Sequence, residues 1–166
     1  TYGREGFENH PVNCVNWNQA VSFANWCGET VALPTEARWE YAARSQGLNH
    51  MYASGNATPS CENTVFQNTR SRRSAGCGEG QTAEVCTIGN EQTQNGLCDM
   101  SGNVSEWVLD AYTSYRRFRH TNGEAYTING RRGLSKIIRG GSWRVRRSRD
   151  LKTTARRRYS KYRSND

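Results

Sequence analysis

Two carboxylates, Asp99 and Glu106, bracket a glycine-containing turn in the segment DMSGNVSEW. Hard carboxylate oxygens at that separation, completed by the backbone carbonyls of Gly102 and Val104, form the all-oxygen ligand set that Ca²⁺ prefers. The competing reading is an acid pair satisfied by backbone N–H groups. Six cysteines supply the second kind of chemistry: Cys14, Cys27, Cys61, Cys77, Cys86 and Cys98. None forms a CxxC, and no Cys/His pair has zinc-ligand spacing. An even count in a chain with only 34% hydrophobic residues favours disulfides in an oxidising compartment, against reduced and buried thiols. Proximity favours Cys14–Cys27, Cys61–Cys77 and Cys86–Cys98, each closing a short loop, among the 15 possible pairings.

The third feature is charge. The chain carries +8 overall, but residues 131–166 hold 14 Lys/Arg against 2 acids, while residues 1–130 are net negative. Within SWRVRRSRDLKTTARRRYSKYRSND, Arg alternates with Trp, Tyr and Ser. Arg offers planar, bidentate contacts that Lys cannot, and Arg and aromatics are enriched at binding hot spots. Trp143, Arg144, Arg146, Arg147 and Arg149 are the candidate binding surface. Alternation along an extended segment would turn Val145 inward and pair Arg147 with a carboxylate. A solvated basic face, or arginines paired with the acidic body, is the alternative. A basic run interleaved with aromatics also suits nucleic acid, although disulfide-like cysteines disfavour that partner.

Other chemistries are excluded. No Ser–His arrangement, GxSxG motif or acid/base carboxylate couple stands out. No apolar stretch approaches the ~20 residues of a membrane-spanning helix. The length of 166 residues suits one domain, and the opening TYGREGFENHPV reads as the middle of a longer protein.

The elements that position these groups are few. Residues 18–27 place Ala20, Phe23, Ala24 and Cys27 at helical spacing, with Asn16 as cap and Gly28 as stop. Residues 35–44 form a second helix, capped by Thr35, with Trp39, Ala42 and Ala43 on one face. About 50 residues rich in Ser, Asn, Gly and Thr follow, a length that needs pinning, and the four later cysteines provide it. Strand-like runs occupy residues 104–108 and 136–139. The class is α+β, with two helices, short strands and much irregular chain.

Four phrases stand in order: HPVNCVNWNQAVSFANW, LPTEARWEYAAR, GLCDMSGNVSEWVLD and IIRGGSW. Together they resemble the formylglycine-generating enzyme, or sulfatase-modifying factor, family. The resemblance implies a variant of the C-type lectin fold as a single domain over residues 1–166, with the first and last strands of that domain lying beyond the chain. It implies a structural calcium on Asp99, Gly102, Val104 and Glu106, and a second calcium site beginning near Asn63 and Thr64. Ser105 departs from the family, many of whose members carry Trp there. Active members oxidise a sulfatase cysteine to formylglycine with copper held by two cysteines shortly after RGGS. Counted from Arg139-Gly140-Gly141-Ser142, those positions are Val145 and Asp150. Copper(I) needs thiolate or thioether ligands, and this half offers only Met100, so copper is not expected. In the family fold some C-terminal arginines pair internally, with Arg156 and Arg163 as candidates.

The expectation is a calcium-stabilised, disulfide-bonded, non-catalytic binding module, secreted, periplasmic or on the cell surface. It would present its Arg/Trp surface to an acidic protein or glycan, and some family members are receptors diversified at this stretch. The alternative is a divergent formylglycine-generating oxidase, or a substrate-binding accessory domain of a larger enzyme.

Overall fold

A computed structural model describes residues 3–88, 93–115, 122–128 and 130–164. Helix α1 spans Trp17–Cys27. The Asn16 side chain accepts from the Gln19 N–H, and the Gln19 side chain accepts from the Asn16 N–H, a reciprocal box that satisfies two orphan donors. Gly28, at φ 152°, stops the helix where a side chain would be strained. Helix α2 spans Glu36–Ala43, with the Thr35 hydroxyl accepting from the Arg38 N–H. Its buried face is Glu36, Trp39 and Ala43, the i, i+3, i+7 stripe of an α-helix. The first turn of α2 is moored to the sheet by a 2.7 Å bond from the Glu36 N–H to Asp110.

Three strands, β1 (Glu106–Ala111), β2 (Ser135–Arg139) and β3 (Arg157–Ser160), form an antiparallel sheet in that order. Glu106 faces Arg139 and Trp107 faces Ile138, with an irregularity before Ala111. Strand β1 thus begins two residues later than its sequence pattern indicates. Strand β3 has no apolar alternation, because its RRYS residues lie at the sheet edge and are exposed or half-buried. One core cluster joins Trp39 and Ala43 of α2 to Val108, Ile137, Ala53 and Met100. A second gathers Tyr52, Phe66, Val145 and Leu151, with Cys61 and Cys77 against it.

The long irregular stretch is pinned as its composition requires. Cys61–Cys77 and Cys86–Cys98 are bonded. Backbone bonds run from Gln67 to Val145, from Gly76 to Trp143 and from Asn103 to Val65. The Asn103 amide is fully buried and exchanges two bonds with the Ala83 backbone.

The expected Cys14–Cys27 bridge is not formed, and both cysteines are free and exposed. The capped helix between them explains this. Eleven helical residues extend ~16 Å, whereas bridged Cα atoms lie within about 7 Å. Among the described residues, no helix is long and apolar enough to cross a membrane.

Candidate functional site

The acid pair sits where the 99–106 turn enters β1. Asp99 adopts φ 57°. Its Oδ2 accepts the Cys86 N–H at 2.9 Å, so the Cys86–Cys98 bridge holds the carboxylate in place. Its Oδ1 is buried without a hydrogen-bond partner among the described residues. Glu106 lies under Trp39, whose indole N–H donates to its Oε2 at 2.5 Å. Burial pushes the Glu106 carboxyl up to about 7, the Trp39 bond opposes the rise, and Asp99 adds to it. Gly102 has φ 96°, and a Cβ there would lie 2.5 Å from the Val65 carbonyl oxygen, so only glycine closes this turn. Gly102 is buried and Val104 half-buried. An orphaned carboxylate oxygen beside a second enclosed carboxyl suits a divalent cation with oxygen ligands. Asn63 is otherwise engaged: its side-chain oxygen accepts from the Ser60 N–H and the Thr64 hydroxyl.

The basic end forms a groove of about 520 Å³ walled by Arg144, Arg146, Arg147 and Arg157. Val145 and Asp150 both line it, with Gln67, Ser142 and Tyr159. Val145 is buried; Arg144, Arg146, Arg147 and Arg149 are exposed. Trp143 is half-buried, and Arg144 stacks on its ring at 5.2 Å. The expected strand-like alternation is absent. The Val145 N–H closes a turn onto the Ser142 carbonyl, and a 3₁₀ turn begins at Ser148. That turn geometry leaves Arg147 outward, in no ion pair among the described residues, rather than bonded to a carboxylate.

The internal arginines are Arg139 and Arg156. Arg156 grips Glu36 through two bonds and lies over the Tyr115 ring at 4.2 Å. Arg139 has a fully buried side chain that bonds Glu40, lies 3.4 Å from Glu36, and donates to the carbonyls of Thr153 and Ala155. Burial raises the Glu36 carboxyl above its usual range, and Arg156 and Arg139 counter this only partly. Arg163 is exposed. Sequence reading left Arg139 without a role of its own. The available signal was the pair of acids, Glu36 and Glu40, one turn apart and flanking Trp39 on the buried face of α2.

The model of the sulfatase-modifying factor enzyme 1-like domain matches residues 2–166. The chain belongs to the sulfatase-modifying factor family. It is 34% identical over 141 residues to the formylglycine-generating enzyme of Thermomonospora curvata, covering 81% of this chain and 45% of that protein. It is 31% identical over 141 residues to the serine/threonine-protein kinase pkn1 of Chlamydia pneumoniae, covering 84% of this chain and 20% of the kinase. The chain thus spans less than half the length of either relative. Among solved structures, PvdO from Pseudomonas aeruginosa superposes with a TM-score of 0.74 at 21% identity, over 95% of this chain and 59% of that one. This likeness carries the family's α+β fold.

Proposed function

We propose that this family domain is a non-catalytic binding module that offers its Arg-walled groove to an acidic protein or glycan. One observation carries the reading. The two positions at which catalytic relatives hold copper through cysteine are, by the count from RGGS, Val145 and Asp150, and both line the groove. Neither supplies a thiolate, so the soft-ligand chemistry is missing where the substrate groove lies. Exposed guanidinium groups occupy its walls instead.

Calcium completes the reading as a structural ion. Asp99 and Glu106 would hold it with the carbonyls of Gly102 and Val104. Its charge would relieve the two enclosed carboxylates and stiffen the turn into β1. A second calcium at Asn63 and Thr64 draws less support, since Asn63 already accepts two local hydrogen bonds. Two disulfides accord with an oxidising compartment, which supports a secreted, periplasmic or surface location. The match to one fifth of a kinase favours, as a second reading, an accessory domain within a larger enzyme.

Copper-loaded protein incubated with a sulfatase-motif peptide should give no formylglycine by mass spectrometry, and product would overturn the proposal. Arg144→Ala/Arg146→Ala should leave stability within about 0.5 kcal/mol, as for surface changes, while weakening the retention of polyglutamate and heparin probes.

A further inference from the structure

Beside the groove lies a second recess, of about 450 Å³, lined by Asn68, Thr69, Arg70, Arg146 and Arg147. Arg146 and Arg147 line both depressions, so the two are adjoining compartments with a shared wall. Together they expose five guanidinium groups, on Arg70, Arg144, Arg146, Arg147 and Arg157. Among the described residues, Asp150 is the only acid lining them. None of the five arginines makes an ion pair among the described residues.

The backbone beneath them is fixed. Gln67 donates its N–H to the Val145 carbonyl, and Gly76 donates to that of Trp143. The Cys61–Cys77 bridge packs on the cluster that contains Val145. A Cβ on Gly141 would press on the Asp150 carbonyl at 2.9 Å, so the two ends of the arginine loop lie in close contact. The guanidinium groups therefore project from a braced loop, which lowers the ordering cost of binding.

From this placement we infer that the paired recesses bind a sulfated glycan, with neighbouring sulfate groups seated on either side of the Arg146–Arg147 wall. The inference rests on the binding-module reading and specifies its ligand. Guanidinium is planar, permanently charged and weakly hydrated, and its fork matches the oxygens of a tetrahedral oxyanion. Two adjoining cationic compartments call for a ligand with closely repeated anions on a polar frame. An acidic protein would also seat an apolar or aromatic anchor in a well-packed pocket, but beside the Tyr159 ring the described apolar lining is Ile138 and Val145, both buried. Single-stranded nucleic acid needs free aromatic platforms, yet Trp143 lies against Arg144 and Tyr159 packs edge-on against Trp107 at 5.8 Å.

Titration calorimetry of the whole chain decides it, with a heparin oligosaccharide, unsulfated hyaluronan, polyglutamate and single-stranded DNA at two salt concentrations. Heparin should bind most tightly, and more weakly as salt rises. Arg146→Ala/Arg147→Ala should lose about a hundredfold in affinity at an unchanged melting temperature, while exposed Arg163→Ala should lose little. Arg146→Lys/Arg147→Lys keeps the charge but removes the forks, and it should also weaken binding. Full affinity in the lysine variant would overturn fork recognition. Polyglutamate or DNA binding as tightly as heparin, with the same arginine dependence, would overturn the sulfated class yet leave the groove a binding face. If no probe responds to the Arg146/Arg147 substitutions, both readings fall.

Discussion

Arg139 opens the RGGS phrase, yet its burial assigns it to the core rather than to ligand. Replacing it with Met keeps the approximate volume and removes the charge from a fully buried side chain. Glu40 would then keep only Arg44 at 3.6 Å, Glu36 would keep only Arg156, and the carbonyls of Thr153 and Ala155 would lose their Arg139 donors. Breaking one side of a buried ion network costs about 3–5 kcal/mol. For a domain of this size each kcal/mol moves the melting temperature by about 2–4 °C, so Arg139→Met should melt roughly 6–20 °C lower. Adding Glu40→Gln removes a carboxylate left with only its Arg44 pair and should return part of the loss, making the pair non-additive. Thermal melts of the four proteins of this cycle, followed by circular dichroism, measure the coupling. A drop within 2 °C, or strictly additive effects, would refute the network as a stabilising unit. Heparin affinity below the melting transition should stay unchanged, because Arg139 does not line the groove.

The remaining predictions concern the proposed calcium site and the cysteines. Saturating calcium at ~100 times its dissociation constant adds roughly 2.7 kcal/mol, so chelation should lower the melting temperature visibly, and Glu106→Gln should abolish the response. Glu106 is raised in the folded state, which means that folding favours its protonated form. The chelated protein should therefore lose stability as pH rises from about 4.5 through about 7, by up to roughly 3 kcal/mol. Calcium should reverse that trend by taking the carboxylate. Melts at pH 5 and pH 8 with and without chelator check both signs, and a chelated protein equally stable at both would refute the buried carboxyl. Thiol titration of the denatured, non-reduced chain should find two thiols, from Cys14 and Cys27; none would restore the third bridge. Cys61→Ala/Cys77→Ala should cost about 3 kcal/mol in the chain-entropy model and loosen the arginine loop, which a denaturant midpoint would show.

Local chemistry was legible without coordinates. Asn16 ahead of the Ala20/Ala24 spacing, and Thr35 ahead of a Trp39/Ala43 stripe, define two helices because caps and helical period act within a few residues. Cys61–Cys77 and Cys86–Cys98 are near neighbours with no α-helix between them among the described residues, so proximity sufficed. The same rule misplaced Cys14 and Cys27, where α1 outcompeted the bridge. Strand β3 was illegible because an edge strand of exposed arginines has no hydrophobic period to read.

What the sequence by itself determined about this protein was the set of groups and their local frames: the acid-bracketed turn, the lack of any cysteine after Cys98, and the concentration of positive charge near the C-terminus. Tertiary structure alone decided which arginines serve the fold and which face outward. Arg139 meets Glu40 across 99 residues, and Arg156 meets Glu36 across 120. Arg144, Arg146 and Arg147 lie only a few residues from Arg139 and have the same chemistry. They differ because a turn at Ser142–Val145 carries them out of the sheet, and no local pattern encodes which carboxylates the folded chain brings within reach.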